Sequence, residues 1–292
     1  MIKVLVVTYY FPPCTGAPSW RPFSWAENFG KYQIKPFILT RNWSGNESTW
    51  DDFIRDNITA PHLMNFDEYD VLYLPSKTYK FNKWLQKRKW IANLFGNVYF
   101  FILGLMGRFN TEVDGWLAFK DEVISQVKDN KYDAVVVSSP PSNILELIPL
   151  IKRNCNAIVI ADIRDLWNNL ILSNPYRPSF KQKIWDGFYS SYYKKWLREV
   201  DMVTVIVEPF VDVIRKFTIA PVHIVYNGFE SSMFSTMKKV RSGKFVFSIV
   251  GSIYPQQDLT ILLDGLNEFI KDKSSDKVNI RFVGATFLTR SV

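Results

Sequence analysis

The sequence predicts an α/β protein with a doubly wound parallel sheet, followed by the beginning of a second unit of the same kind. Three observations predict it. Short β-branched runs recur along the chain, helical stretches separate nearly all of them, and the composition changes after Asn227-Gly228. Alternation of this kind is solved by right-handed crossovers and parallel strands.

Each element follows from its own residues. IKVLVVT (2–8) is a buried strand that ends in the loop YYFPPCTGAPSWRP (9–22), and it reads as a first strand rather than a signal peptide. A helix near 20–32 leads to a strand at 35–40. Residues 42–69 are polar and irregular, with room for a short helix, and 71–74 form another strand. A helix at 112–130 precedes AVVVSS (134–139), and a helix at 142–154 precedes AIVIAD (157–162). A long helix at 179–199 precedes MVTVIV (202–207), and a helix reaching 217 precedes VHIVYN (222–227). The first domain is expected over 1–230 and a polar, basic linker over 231–244. The start of a second domain is expected over 245–292, with strand, helix and strand at 245–251, 258–270 and 278–284. One β-α-β unit is too small to cover both faces of its own sheet, so the second domain is expected to be truncated.

Nearly half of the residues are apolar, which suits a packed core and excludes general disorder. The net charge of +8 points to a negative partner. Two cysteines and two histidines lie far apart, with no metal-binding spacing. Residues 79–109 mix Lys83, Lys87 and Arg88 with Trp84 and Trp90, then become almost uncharged. A spanning helix needs about 20 apolar residues, more than this run supplies. It reads either as an interfacial helix on an anionic membrane, contacted by Lys83, Trp84, Lys87, Arg88 and Trp90, or as a core helix with a solvated basic face. Without an accompanying recognition motif, no nucleic acid is expected as a partner.

Ligands of such sheets sit beyond the carboxyl ends of the strands. In the first loop, Gly16 permits an unusual backbone angle and Arg21 offers a fork of donors for phosphate or carboxylate, although no G-x-G-x-x-G is present. In SSPPSN (138–143), Ser139 can bond a ligand, while Ser142 or Asn143 can cap the next helix. In IADIRDLWNN (160–169), an apolar strand runs into Asp162, Arg164, Asp165 and Trp167. Charges placed there must be paired or used. They either pair with one another or line a cleft, where Arg164 binds a ligand, Asp165 orients it and Trp167 stacks on a sugar. Asn227-Gly228 is a turn dipeptide placed to serve as a hinge.

The ordered series YYFPP…Gly16…Arg21, DAVVVSSPP, ADIRDLW, VDMVTVIVEPF, NGFE and VGSIYPQQDLTILLDGL resembles family 4 glycosyltransferases. These are retaining enzymes of the GT-B fold that build bacterial surface polysaccharides. The resemblance implies two Rossmann-like halves. The first would take a lipid-linked or glycan acceptor and the second a nucleotide-sugar donor, with no cofactor or metal. It places Arg164 and Asp165 near the reaction centre, and Arg21, Ser139 and Trp167 on the acceptor side. Gly16, Gly251 and Ser252 would lie at the donor phosphates. It also implies a cytoplasmic enzyme, peripheral at the inner face of the membrane. The chain departs from the family in four places. Arg164 stands where many relatives have histidine, Val207 where serine is frequent, Gln257 where Arg or Lys is common, and the E-x7-E segment that holds the donor would fall beyond residue 292. An inactive fragment is therefore expected. The alternatives are a non-catalytic acceptor- or membrane-binding module that works with a partner chain, and a different nucleotide-binding enzyme.

Overall fold

The computed structural model describes residues 1–45, 60–76, 88, 98, 102, 117–166, 180–229, 243–251, 259–271 and 278–283. The chain divides into two compact units, Met1–Gly228 and Phe229–Val292.

In the first unit, the β-branched runs form the interior of an eight-stranded sheet. Its strands are β1 (Ile2–Thr8), β2 (Ile34–Arg41), β3 (His62–Asn65), β4 (Asp70–Leu74), β5 (Ala134–Ser139), β6 (Ile158–Ile163), β7 (Met202–Val205) and β8 (Val222–Ile224), in the order β3-β4-β2-β1-β5-β6-β7-β8. All neighbouring pairs are parallel except β3 with β4. The sheet is therefore mostly parallel, as the sequence predicts. The exception is a correction, because the stretch read as irregular ends in the antiparallel edge strand β3. Its four residues are all exposed, so no run of buried side chains announces it.

The helices lie on both faces. Helix α1 (Trp20–Asn28) joins β1 to β2 and places Ala26 against Val4, Val6 and Ile38. The other face carries α2 (Leu117–Asp129), α3 (Leu147–Asn154), α4 (Phe180–Leu197) and α5 (Glu208–Ile214). Their residues Val123, Ile148, Ile151, Trp196 and Ile214 pack with Leu5, Val7, Val137 and Val203. Each fully buried aliphatic side chain contributes about 1.5–3 kcal/mol. The chain runs outward from β1 in one direction through β2 and in the other from β5. The notch between the ends of β1 and β5 is thus the switch point of a doubly wound sheet, the place where such folds bind ligands.

Ser142 and Asn143 do not cap a helix, contrary to expectation. Both are buried in a 3-10 turn (Ser142–Glu146), and neither that turn nor α3 has a side-chain cap. Ser142 instead accepts a 3.3 Å hydrogen bond from the Tyr193 hydroxyl and donates a long 3.5 Å bond to the Asp165 carbonyl. Gly16 also corrects an expectation. Its φ of −65° and ψ of 143° are open to any residue.

The second unit contains β9 (Phe245–Val250) parallel to β10 (Val278–Val283), with α6 (Leu259–Lys271) packed through Phe269 on Phe245 and Phe247. Gly251 follows β9 at φ +101°, a conformation that favours glycine.

Candidate functional site

The carboxyl edge of the first sheet is built on a polar row. Register places Thr8 of β1 beside Ser138 of β5, Ser138 beside Asp162 of β6, and Asp162 beside Thr204 of β7. Each ends, or nearly ends, an apolar strand. All four share the face that carries α1, because they alternate with the residues that enter the opposite core.

Asp162 is completely buried and is the hub of this row. Its Oδ1 accepts from Thr204 Oγ1 at 2.8 Å and from Arg21 Nη2 at 2.9 Å, and its Oδ2 accepts from Ser138 Oγ at 2.9 Å. Arg164 Nε stands 3.7 Å from Oδ2. Burying a carboxylate is costly unless its oxygens are satisfied, and here both are. Arg164 then reaches across the switch point. Its Nε donates to the Ser139 carbonyl at 2.7 Å and its Nη1 to the Pro18 carbonyl at 2.5 Å, which joins the loop after β5 to the loop after β1. Burial lowers the pKa of Arg164 below its ordinary value, Asp162 opposes this shift, and Arg21 reinforces it.

Two guanidinium groups thus surround one carboxylate. Arg21 Nε, Arg164 Nη2 and Ser139 Oγ are buried without a hydrogen-bond partner among the described residues. Such atoms at a strand-end notch suit an oxygen-rich or anionic ligand group.

A third cation, Arg41, flanks the loop after β1. Arg41, at the end of β2, donates to the Tyr9 hydroxyl at 2.6 Å and lies 4.1 Å from the Trp43 ring centroid. Trp43 donates to the Tyr9 carbonyl at 2.8 Å, and half-buried Tyr10 stacks on it at 5.3 Å.

The structure therefore gathers Gly16, Arg21, Ser139 and Arg164 on one rim, with Pro18 linking Gly16's loop to Arg164. Of the two readings of the charged segment, pairing is realised between Arg164 and Asp162, while Asp165 is exposed next to them. Gly251 belongs to the second unit. Trp167, Ser252, Lys83, Trp84, Lys87 and Trp90 lie outside the described residues, and Arg88 is exposed. Sequence reasoning missed the hub role of Asp162 and its partners Ser138 and Thr204, and it missed Arg41 with Trp43. The signal for the first group was a polar residue closing each of several apolar strands.

Among the described residues, no group of three or more His, Cys, Asp or Glu could hold a metal ion. Among them, too, no helix is long and apolar enough to cross a membrane.

No protein-family model matches the chain, and no curated protein matches its sequence. Solved structures do match its fold. Sucrose-phosphate synthase from Thermosynechococcus elongatus aligns over 98% of this chain and 71% of its own, with a TM-score of 0.50 and 12% identity. Alpha,alpha-trehalose 6-phosphate synthase from Burkholderia multivorans aligns over 97% of this chain and 65% of its own, with a TM-score of 0.51 and 8% identity. The catalytic domain of starch synthase IV from Arabidopsis thaliana, bound to ADP and acarbose, aligns over 98% of this chain and 69% of its own, with a TM-score of 0.51 and 9% identity. These neighbours are GT-B glycosyltransferases. At such low identity the likeness shows a shared Rossmann-like fold.

Proposed function

We propose that this chain is a glycosyltransferase that moves a sugar from a nucleotide-sugar to a hydroxyl of a glycan or lipid-linked acceptor, with retained anomeric configuration. One observation carries the reading. Arg21, Ser139 and Arg164 converge at the switch point with buried polar atoms that have no hydrogen-bond partner among the described residues, in a fold shared with glycosyltransferases. The acceptor oxygen bonds to the anomeric carbon, the nucleoside diphosphate departs with the electron pair of the broken bond, and the hydroxyl proton passes to the departing phosphate oxygen. Arg164 and Asp165 are assigned to the reaction centre, and Arg21, Ser139 and Trp167 to acceptor binding. Gly16, Gly251 and Ser252 are assigned to the donor phosphates. Fixed guanidinium groups stabilise charge where it develops. ADP in the starch synthase structure supports a nucleoside diphosphate as the leaving group.

The test is calorimetry with ADP, UDP, GDP and their glucose conjugates. Binding of at least one nucleotide, weakened in Arg164→Gln, is the expected result, and silence across the whole panel refutes the reading. The proposal extends to peripheral attachment at the inner membrane through residues 79–109, supported by their basic and aromatic composition. Flotation with anionic vesicles should fall when Lys83, Lys87 and Arg88 become Ala. Unchanged flotation removes this part.

A further inference from the structure

Arg21 has two working ends. Its Nη2 meets Asp162 Oδ1 at 2.9 Å. Its Nη1 meets the Val225 carbonyl at 2.9 Å, the Tyr226 carbonyl at 3.3 Å and Asn227 Oδ1 at 3.2 Å. Residues 225–227 close the first unit, whose last residue is Gly228. They follow β8, which is only three residues long, and the sheet holds them through the Val225 N–H on the Val205 carbonyl at 2.8 Å. Arg21 therefore supplies a large part of their attachment.

A guanidinium is a rigid planar fork, so the direction of one nitrogen sets the direction of the other. Asp162 is fixed in turn by Ser138 and Thr204 from the neighbouring strands. We propose that Asp162 is a positioning residue: it orients Arg21, and through Arg21 it fixes residues 225–227, the stretch that leads into the second unit. The same carboxylate stands beside Arg164. Events at the rim and the course of the exit stretch are therefore coupled through one side chain. The functional consequence rests on the rim being the substrate site, as proposed above. The geometry itself does not, and its test needs no transfer reaction.

Amide hydrogen exchange on the full chain, read by mass spectrometry, tests it. Arg21→Ala is expected to speed exchange across residues 225–229 by about tenfold, while the β1 and β5 peptides keep their protection. Asp162→Asn should act in the same direction on the same peptides. The double variant should be no faster there than Arg21→Ala, because both changes break one chain of contacts. Arg21→Lys should fail to restore protection, since an ammonium keeps the charge and loses the fork. The proposal is overturned if Asp162→Asn leaves residues 225–229 within about twofold of the parent, if it speeds every peptide alike, if the two effects add, or if Arg21→Lys rescues. Should the Asp162 variant not fold, Asn227→Ala at the exposed end must raise exchange in the same peptides with the melting temperature unchanged, and an unaltered pattern overturns the proposal. Nucleotide calorimetry is independent of these outcomes, so a failure here and a failure of the transferase reading are told apart.

Discussion

Thr204→Val tests whether the buried carboxylate is held as the geometry says. The side chains have nearly the same shape, so no cavity opens, and what is lost is the 2.8 Å donor to Asp162 Oδ1. A hydrogen bond to a charged group contributes about 1.5–3 kcal/mol. Thr204 is half-buried, so the low end applies, at about 2 kcal/mol. For a unit the size of Met1–Gly228, each kcal/mol moves the melting temperature by about 2–4 °C, which gives a drop of about 4–8 °C. Ser138 is fully buried and serves the other oxygen, so Ser138→Ala should cost about 3 kcal/mol. Thermal unfolding followed by circular dichroism and tryptophan fluorescence provides the reading. A loss below about 1 °C for Thr204→Val would mean that the hydroxyl contributes nothing to holding the carboxylate, and the hub would have to be abandoned.

Trp43→Ala should cost about 3–5 kcal/mol in urea denaturation, because the ring is buried against Arg41 and Tyr10. Trp43→Phe should cost only about 1 kcal/mol, since the Tyr9 carbonyl still accepts from Thr40. Equal losses for the two would deny the ring its packing role. Asp201 predicts a pH effect. Burial alone would raise its pKa, but the Val159 N–H and Lys152 outweigh this and hold it below its ordinary 3.8. A depressed carboxylate stabilises the fold above its unfolded pKa and loses that contribution as pH falls through the folded value. The stability gap between parent and Asp201→Asn should therefore be full at neutral pH and shrink below about pH 4. Urea midpoints at several pH values check this, and a gap that widens in acid contradicts it.

The strands of the first unit were legible because their runs are apolar on both sides. Parallel strands covered on both faces must be built so. β3 was illegible for the opposite reason: it is held by one neighbour and buries none of its residues. The rim was half legible. Arg21, Ser139 and Arg164 stand at strand ends, where charge or hydroxyl is unusual enough to notice. The bond between Arg21 and Asp162 spans 141 positions and follows no period. Only strand order could bring those residues together. Capping at Ser142 was misread because the local rule ignores what a neighbouring helix offers, here the hydroxyl of Tyr193.

The row of Thr8, Ser138, Asp162 and Thr204 also acts as an alignment key for the sheet. Sliding β6 by one position would turn Asp162 towards the side filled by Leu147, Ile148 and Ile151, where hydrocarbon replaces every donor it now has. An unpaired buried charge costs several kcal/mol, much of the margin by which a domain is folded. The residues at the mouth of the notch therefore also exclude mispaired sheets, so an exchange made there to alter what the rim binds risks loosening the order in which the strands find one another.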